Sequence, residues 1–96
     1  MTEQSIKKRV SRARAAAADN LRRAGYGIIT TDGGPFSIIA VRYSEARFIR
    51  VVVDRASLGD MKACGSVKVP AGCVREIWEA DSIEHGIQNF EIKSIL

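Results

Sequence analysis

Residues 33–54 read GGPFSIIAVRYSEARFIRVVVD and contain two apolar runs of strand length. The first run, Phe36–Val41, is rich in β-branched residues and follows a Gly-Gly-Pro turn signal. The second, Phe48–Val53, is apolar almost throughout, which is typical of a strand covered on both faces. Four residues, Tyr43–Ala46, lie between the runs, a normal spacing for a hairpin. We therefore expect an antiparallel pair of strands at the centre of a sheet.

The segments on either side of this pair predict helices and a further strand. Residues 5–24 repeat apolar side chains at spacings of three and four, which predicts a helix. Residues 26–31 predict a first strand, which would make the three strands an antiparallel meander. Residues 57–63 predict a short helix capped by Ser57, inside a segment long enough for a crossover that returns a parallel strand.

The last third of the chain is harder to assign. Residues 74–80 fit a helical stripe or a strand, and the short distance between Gly72 and Asp81 favours a strand. Residues 90–95 alternate apolar and polar side chains, which is typical of a half-exposed edge strand. The expected fold is α/β with a mixed sheet, in one domain over residues 1–96: a helix, a three-strand meander, a short crossover and one or two more strands.

Composition restricts the class of protein. With 96 residues, 46% of them hydrophobic, the chain predicts one globular domain. No apolar stretch reaches the ~20 residues of a membrane span, and early cations argue against a signal peptide. We therefore expect a cytoplasmic protein with no membrane partner. Two cysteines without a CxxC motif and one histidine do not predict a zinc site.

Positive charge is concentrated at the beginning of the chain. Residues 1–26 contain seven cations and two carboxylates, whereas the remainder carries a net charge of −1. This asymmetry predicts a polyanionic partner such as nucleic acid, although a solvated helix face explains it equally well. The candidate phosphate contacts are cations of the first helix and of the central hairpin: Lys7, Lys8, Arg9, Arg12, Arg14, Arg42, Arg47 and Arg50.

A basic helix ending in Arg-Arg-Ala-Gly-Tyr, followed by GGPFSIIAVR and RFIRVVVD, resembles the core of the PD-(D/E)XK nuclease superfamily. The branch it resembles is that of the archaeal Holliday-junction resolvases, over about residues 5 to 60. The resemblance implies a restriction-endonuclease-like core. In that family an Asp on the second strand and a Glu-x-Lys triplet on the third form the active site. The two carboxylates hold Mg²⁺, and the lysine helps to orient the attacking water.

This sequence departs from the family pattern at each of those positions. Ser37 falls at the Asp position, Val52 at the Glu position and Asp54 at the Lys position. Arg12 falls near a glutamate often found in the first helix of the resolvases. Serine is a poor sole ligand for Mg²⁺ and valine is none. The altered positions favour a nucleic-acid-binding domain without catalytic activity or cofactor, with DNA favoured over RNA as the ligand.

Two alternatives stay open. Asp32, Asp54 and Glu76 are carboxylates that could form a displaced site for Mg²⁺ or Mn²⁺, which would make the protein a metal-dependent nuclease. The other alternative is a small structural module with no nucleic-acid role, for instance a homodimer assembled through the final edge strand.

Overall fold

A computed structural model describes residues 3–31 and 33–95, and the chain begins with helix α1 (Glu3–Arg23). This confirms the predicted first helix. The helix ends because Gly25 takes a positive φ of 92°. The amide of Tyr26 donates to the carbonyl of Leu21 at 3.0 Å and that of Gly25 to Arg22 at 3.0 Å, the two bonds of a Schellman motif.

Three antiparallel strands follow, as the meander predicts: β1 (Gly27–Thr30), β2 (Ile38–Arg42) and β3 (Glu45–Val53). The hairpin between β2 and β3 is tighter than expected. Glu45 already pairs with Arg42, so the turn consists of Tyr43 and Ser44 alone instead of four residues. Tyr43 adopts a φ of 55°, as a two-residue hairpin turn requires.

The crossover contains helix α2 (Leu58–Gly65), and Ser57 caps it as predicted. The Ser57 hydroxyl accepts from the amide of Asp60, while the Asp60 carboxylate accepts from the amide of Ser57, which completes a capping box. After α2 the chain enters β4 (Cys73–Glu84), which pairs parallel to β3. The expected parallel return strand is therefore confirmed, and residues 74–80 form a strand.

The last element is β5 (Ile87–Ile95), which pairs antiparallel with β4 at the edge of the sheet. Both strands of this hairpin are longer than expected, and the turn between them is His85-Gly86, each with a positive φ. The sheet order is β1-β2-β3-β4-β5. One mixed sheet, preceded by a helix and interrupted by a second, confirms the predicted α/β class.

Apolar cores lie on both faces of the sheet. On the first face, Ala13, Ala17 and Leu21 of α1 belong to one core with side chains of all five strands, among them Ile49 and Trp78. On the second face, Phe36, Cys64 and Ile77 form a smaller core beside α2. The apolar run of β3 serves both cores, since alternate residues point to opposite faces. Neither helix in the described ranges combines the length and the apolar character needed to cross a membrane.

Candidate nucleic-acid interface

The cations of α1 mostly lie on its solvent side, opposite the alanines and leucine that pack on the sheet. Lys8, Arg12 and Arg22 are exposed. Within residues 3–31 and 33–95, no ion pair links these three side chains to a carboxylate. Their charge is therefore directed to solvent, where it is available to an anionic ligand.

The other cations of α1 have different surroundings. The Arg9 guanidinium lies 3.2 Å from Asp54, which ties the helix to the end of β3. Lys7 is exposed and also takes part in an interaction within the chain. Arg23 pairs with Asp19 one turn earlier, at 3.0 Å. Exposed pairs of this kind contribute at most about 1 kcal/mol to stability. The face stays positively charged as a whole because residues 1–26 contain seven cations and two carboxylates.

Arg14 lines a cleft of about 330 Å³ beside the part of β3 that does not pair with β2. The cleft exists because β2 is shorter than β3: Ile38 lies opposite Ile49, and no residue of β2 faces Val51 to Val53. Its walls come from α1, from the Gly33-Gly34 turn and from Asp60 of α2.

Two of the three positions that the nuclease resemblance predicts as catalytic lie in this cleft. Ser37 and Val52 both line it, so the structure brings these two together. Asp54 is not among the lining residues; it follows β3 with a φ of 65° and faces Arg9. Ser37 has a structural task, because its hydroxyl accepts from the amide of Val51 at 3.2 Å where β2 has ended.

The three arginines of the central hairpin are bound to internal partners instead of facing a ligand. The Arg42 guanidinium lies 4.3 Å from the centre of the Tyr26 ring and donates to the carbonyl of Ala24 at 2.7 Å. It also lies 3.3 Å from Glu45. The hydrogen bond from the Tyr26 hydroxyl lowers the pKa of Glu45, and the charges of Arg42 and Arg47 add to this effect. Arg42 therefore secures the carboxyl end of α1.

Arg47 forms the most enclosed of the described ion pairs that involve an arginine. Its Nε donates to Oε1 of Glu76 at 2.9 Å and its Nη2 to Oε2 at 2.8 Å, a bidentate pair. The indole of Trp78 donates to the same carboxylate at 3.1 Å. Burial by itself lowers the pKa of the Arg47 guanidinium. The hydrogen bonds to Glu76 and Tyr26 outweigh this effect, so the pKa is raised above its ordinary value.

Arg50 lies on the opposite face of the sheet and joins three elements. It donates to Asp60 of α2 at 2.8 Å and to the carbonyl of Pro35 at 3.0 Å. Burial by itself raises the pKa of Asp60, but the amide of Ser57 and the charge of Arg50 lower it below its ordinary value. The expected phosphate contacts at Arg42, Arg47 and Arg50 thus already have protein partners.

The carboxylates considered for a displaced metal site do not converge. Asp54 follows Val53, which lies opposite Ala80, whereas Glu76 lies opposite Ile49. At ~3.3 Å per residue, about 17 Å of strand separates the two. Glu76 is also neutralised by Arg47, and Asp32 lies outside the described residues. In the part of the chain that the structure describes, no cluster of three or more His, Cys, Asp or Glu could hold a metal ion.

Glu79 is a buried charged residue that sequence reasoning missed. It is 3% exposed, accepts from the amide of Ala56, and lies 3.2 Å from Lys93. The Ala56 hydrogen bond and Lys93 lower its pKa despite the opposing effect of burial. A glutamate at an inward position of a buried strand is the signal that could have identified it, since such a group requires a partner.

Comparison with protein-family models, curated proteins and solved structures yields no match. The functional conclusion therefore depends on the arrangement of charge and on the scaffold described above.

Proposed function

We propose that this protein binds nucleic acid without cutting it, through the solvent face of α1 on a nuclease-like scaffold. The observation that carries the proposal is the contrast in pairing: the strand arginines are paired with carboxylates of the protein itself, whereas Lys8, Arg12 and Arg22 face solvent without a described acidic partner. Phosphate oxygens are the natural partners of such a surface.

The scaffold gives a second line of support. A helix, an antiparallel meander and a helical crossover to a parallel strand are the element order expected from the resemblance to PD-(D/E)XK nucleases. Ser37 and Val52 lie beside one cleft, as the aligned positions require, but supply no carboxylate there. A site without anionic ligands at these positions is a poor one for Mg²⁺, which supports binding without catalysis. We place the protein in the cytoplasm and favour DNA over RNA as its ligand.

The test is a salt titration of binding to fluorescently labelled duplex, junction and single-stranded DNA. Replacing the three exposed cations, as Lys8→Gln, Arg12→Gln and Arg22→Gln together, should weaken binding. On duplex DNA the slope of log K against log salt should become shallower by about 0.9 for each phosphate that the variant no longer neutralises. The same samples, incubated with Mg²⁺ or Mn²⁺ and with a chelator, should show no cleavage.

A matched control removes the same charge elsewhere. Arg55, Lys62 and Lys68 are also exposed, and their joint replacement by Gln should leave the salt slope unchanged. Equal weakening in both triple variants would mean that net charge alone drives binding, and α1 would not be the interface. Absence of binding to every substrate at low salt would refute the proposal.

A further inference from the structure

The two edges of the sheet differ in length. β1 has 4 residues, whereas β5 has 9 and ends the strand order with its outer side unpaired. A long regular edge strand recruits another strand unless a proline, a bulge or repelling charges prevent it. Residues 90–95 pair with β4 without a register shift and contain no proline.

The hydrogen-bonding direction of β5 follows from its neighbours. The Ala80 carbonyl accepts from the amide of Asp54, so even-numbered residues of β4 direct their backbone groups toward β3 and odd-numbered residues toward β5. Since Ile77 lies opposite Lys93 and Glu79 opposite Glu91, those two residues of β5 bond to β4. The backbone groups of the residues between and beside them, Phe90, Ile92 and Ser94, therefore face the open edge.

The side chains of β5 are complementary in charge to those of β5 in a second copy. Suppose that two copies of β5 pair antiparallel, with Ile92 of each copy opposite Ile92 of the other. Glu91 of each copy then lies opposite Lys93 of the other copy. Opposite charges at facing positions stabilise a strand pair, and like charges would destabilise it. Ile92 is 46% exposed, so the same register covers an apolar side chain that the single chain leaves half-exposed.

We propose that β5 forms a homodimer by antiparallel pairing with β5 of a second copy, about a two-fold axis at Ile92. Phe90, Ile92 and Ser94 supply the main-chain hydrogen bonds. The register is fixed by Glu91 facing Lys93 of the second copy, whose ammonium also keeps its contact of 3.2 Å with Glu79 of its own chain. Because the axis is perpendicular to the sheet, the α1 helices of both copies lie on the same face. Two basic helices then face one polyanion, a consequence that rests on the proposed function.

The first test is the mass of the full chain in solution, without nucleic acid. Light scattering should give a concentration-dependent mass approaching twice the 10.5 kDa of the chain. Glu91→Lys places like charges at both facing positions and should raise the dissociation constant about tenfold. The control, Glu84→Lys, makes the same charge change near the hairpin turn, outside the pairing segment, and should leave the constant unchanged. A monomer at all concentrations would overturn the proposal.

Cysteine cross-linking tests the register in a Cys73→Ser background, where the remaining Cys64 is buried. Ile92→Cys should form a disulfide dimer on mild oxidation, because a hydrogen-bonded pair has Cα atoms ~5.5 Å apart, within disulfide range. Ser94→Cys should not, because the two copies of residue 94 lie about 13 Å apart in this register. Efficient cross-linking through Ser94→Cys, or equal cross-linking of both variants, would rule out an axis at Ile92.

Discussion

Two groups of cations in this chain have opposite surroundings. Arg42, Arg47 and Arg50 on the central strands each have a carboxylate within 3.3 Å and further partners on carbonyls or aromatic rings. Lys8 and Arg12 on α1 face solvent and have no acidic partner within the described ranges. In the amino-acid sequence the two groups look alike, and both suggest contacts to phosphate.

The difference follows from desolvation. A guanidinium on a strand of this sheet loses part of its water, so a carboxylate or a backbone carbonyl must replace the lost hydrogen bonds. A cation on the outer side of a helix keeps its water and requires no partner. Charge therefore indicates a binding surface only after the fold has shown which cations the protein itself neutralises.

The largest effect should come from the buried pair. Arg47→Ala leaves Glu76, whose side chain is 9% exposed, without its bidentate partner, and should lower the free energy of unfolding by about 2–3 kcal/mol. Urea denaturation measures this decrease. A decrease below about 0.5 kcal/mol, accompanied by weaker DNA binding, would place Arg47 with the binding cations instead.

The next largest effect should come from acid, which weakens the ion pairs of Arg42 and Arg50. The pKa values of Glu45 and Asp60, the partners of Arg42 and Arg50, are lowered in the folded state. Their contribution to stability is thus complete above the ordinary carboxyl pKa of ~4 and disappears as the pH falls through the lowered values. Thermal unfolding should show a constant midpoint from neutral pH to about 5 and a decline below 4. Asp60→Asn should reduce that decline; an unchanged pH profile would contradict the assigned role of Asp60.

The smallest effect on stability should come from the α1 cations. Replacing Lys8, Arg12 and Arg22 by Gln should change the free energy of unfolding by less than about 0.5 kcal/mol per site, because exposed side chains without partners contribute little. The same urea titration as for Arg47→Ala provides the measurement. A decrease comparable to that of Arg47→Ala would show that these cations stabilise the fold, which would remove the contrast between the two groups.

Local patterns were sufficient for most of the fold. The stripe of α1, the apolar runs of β2 and β3, and the serine cap of α2 act through nearest neighbours in sequence, so each element could be predicted. Boundaries were less accurate: the hairpin turn is two residues long, and β4 and β5 extend further than their patterns suggested. Both differences arise from pairing, since a partner strand can extend a strand beyond its own apolar run.

The candidate site was less predictable than the fold. The sequence alone determined an α/β chain with a basic first helix; the resemblance that aligns Ser37, Val52 and Asp54 with the catalytic positions of a nuclease stays a prediction. Only the tertiary structure decided that Ser37 and Val52 share a cleft, that Asp54 does not line it, and that the strand arginines are neutralised. The physical reason is the sequence separation of the interacting residues: helix and strand patterns depend on residues that are close in the chain. An ion pair between residues 47 and 76 exists only once parallel strands bring them together.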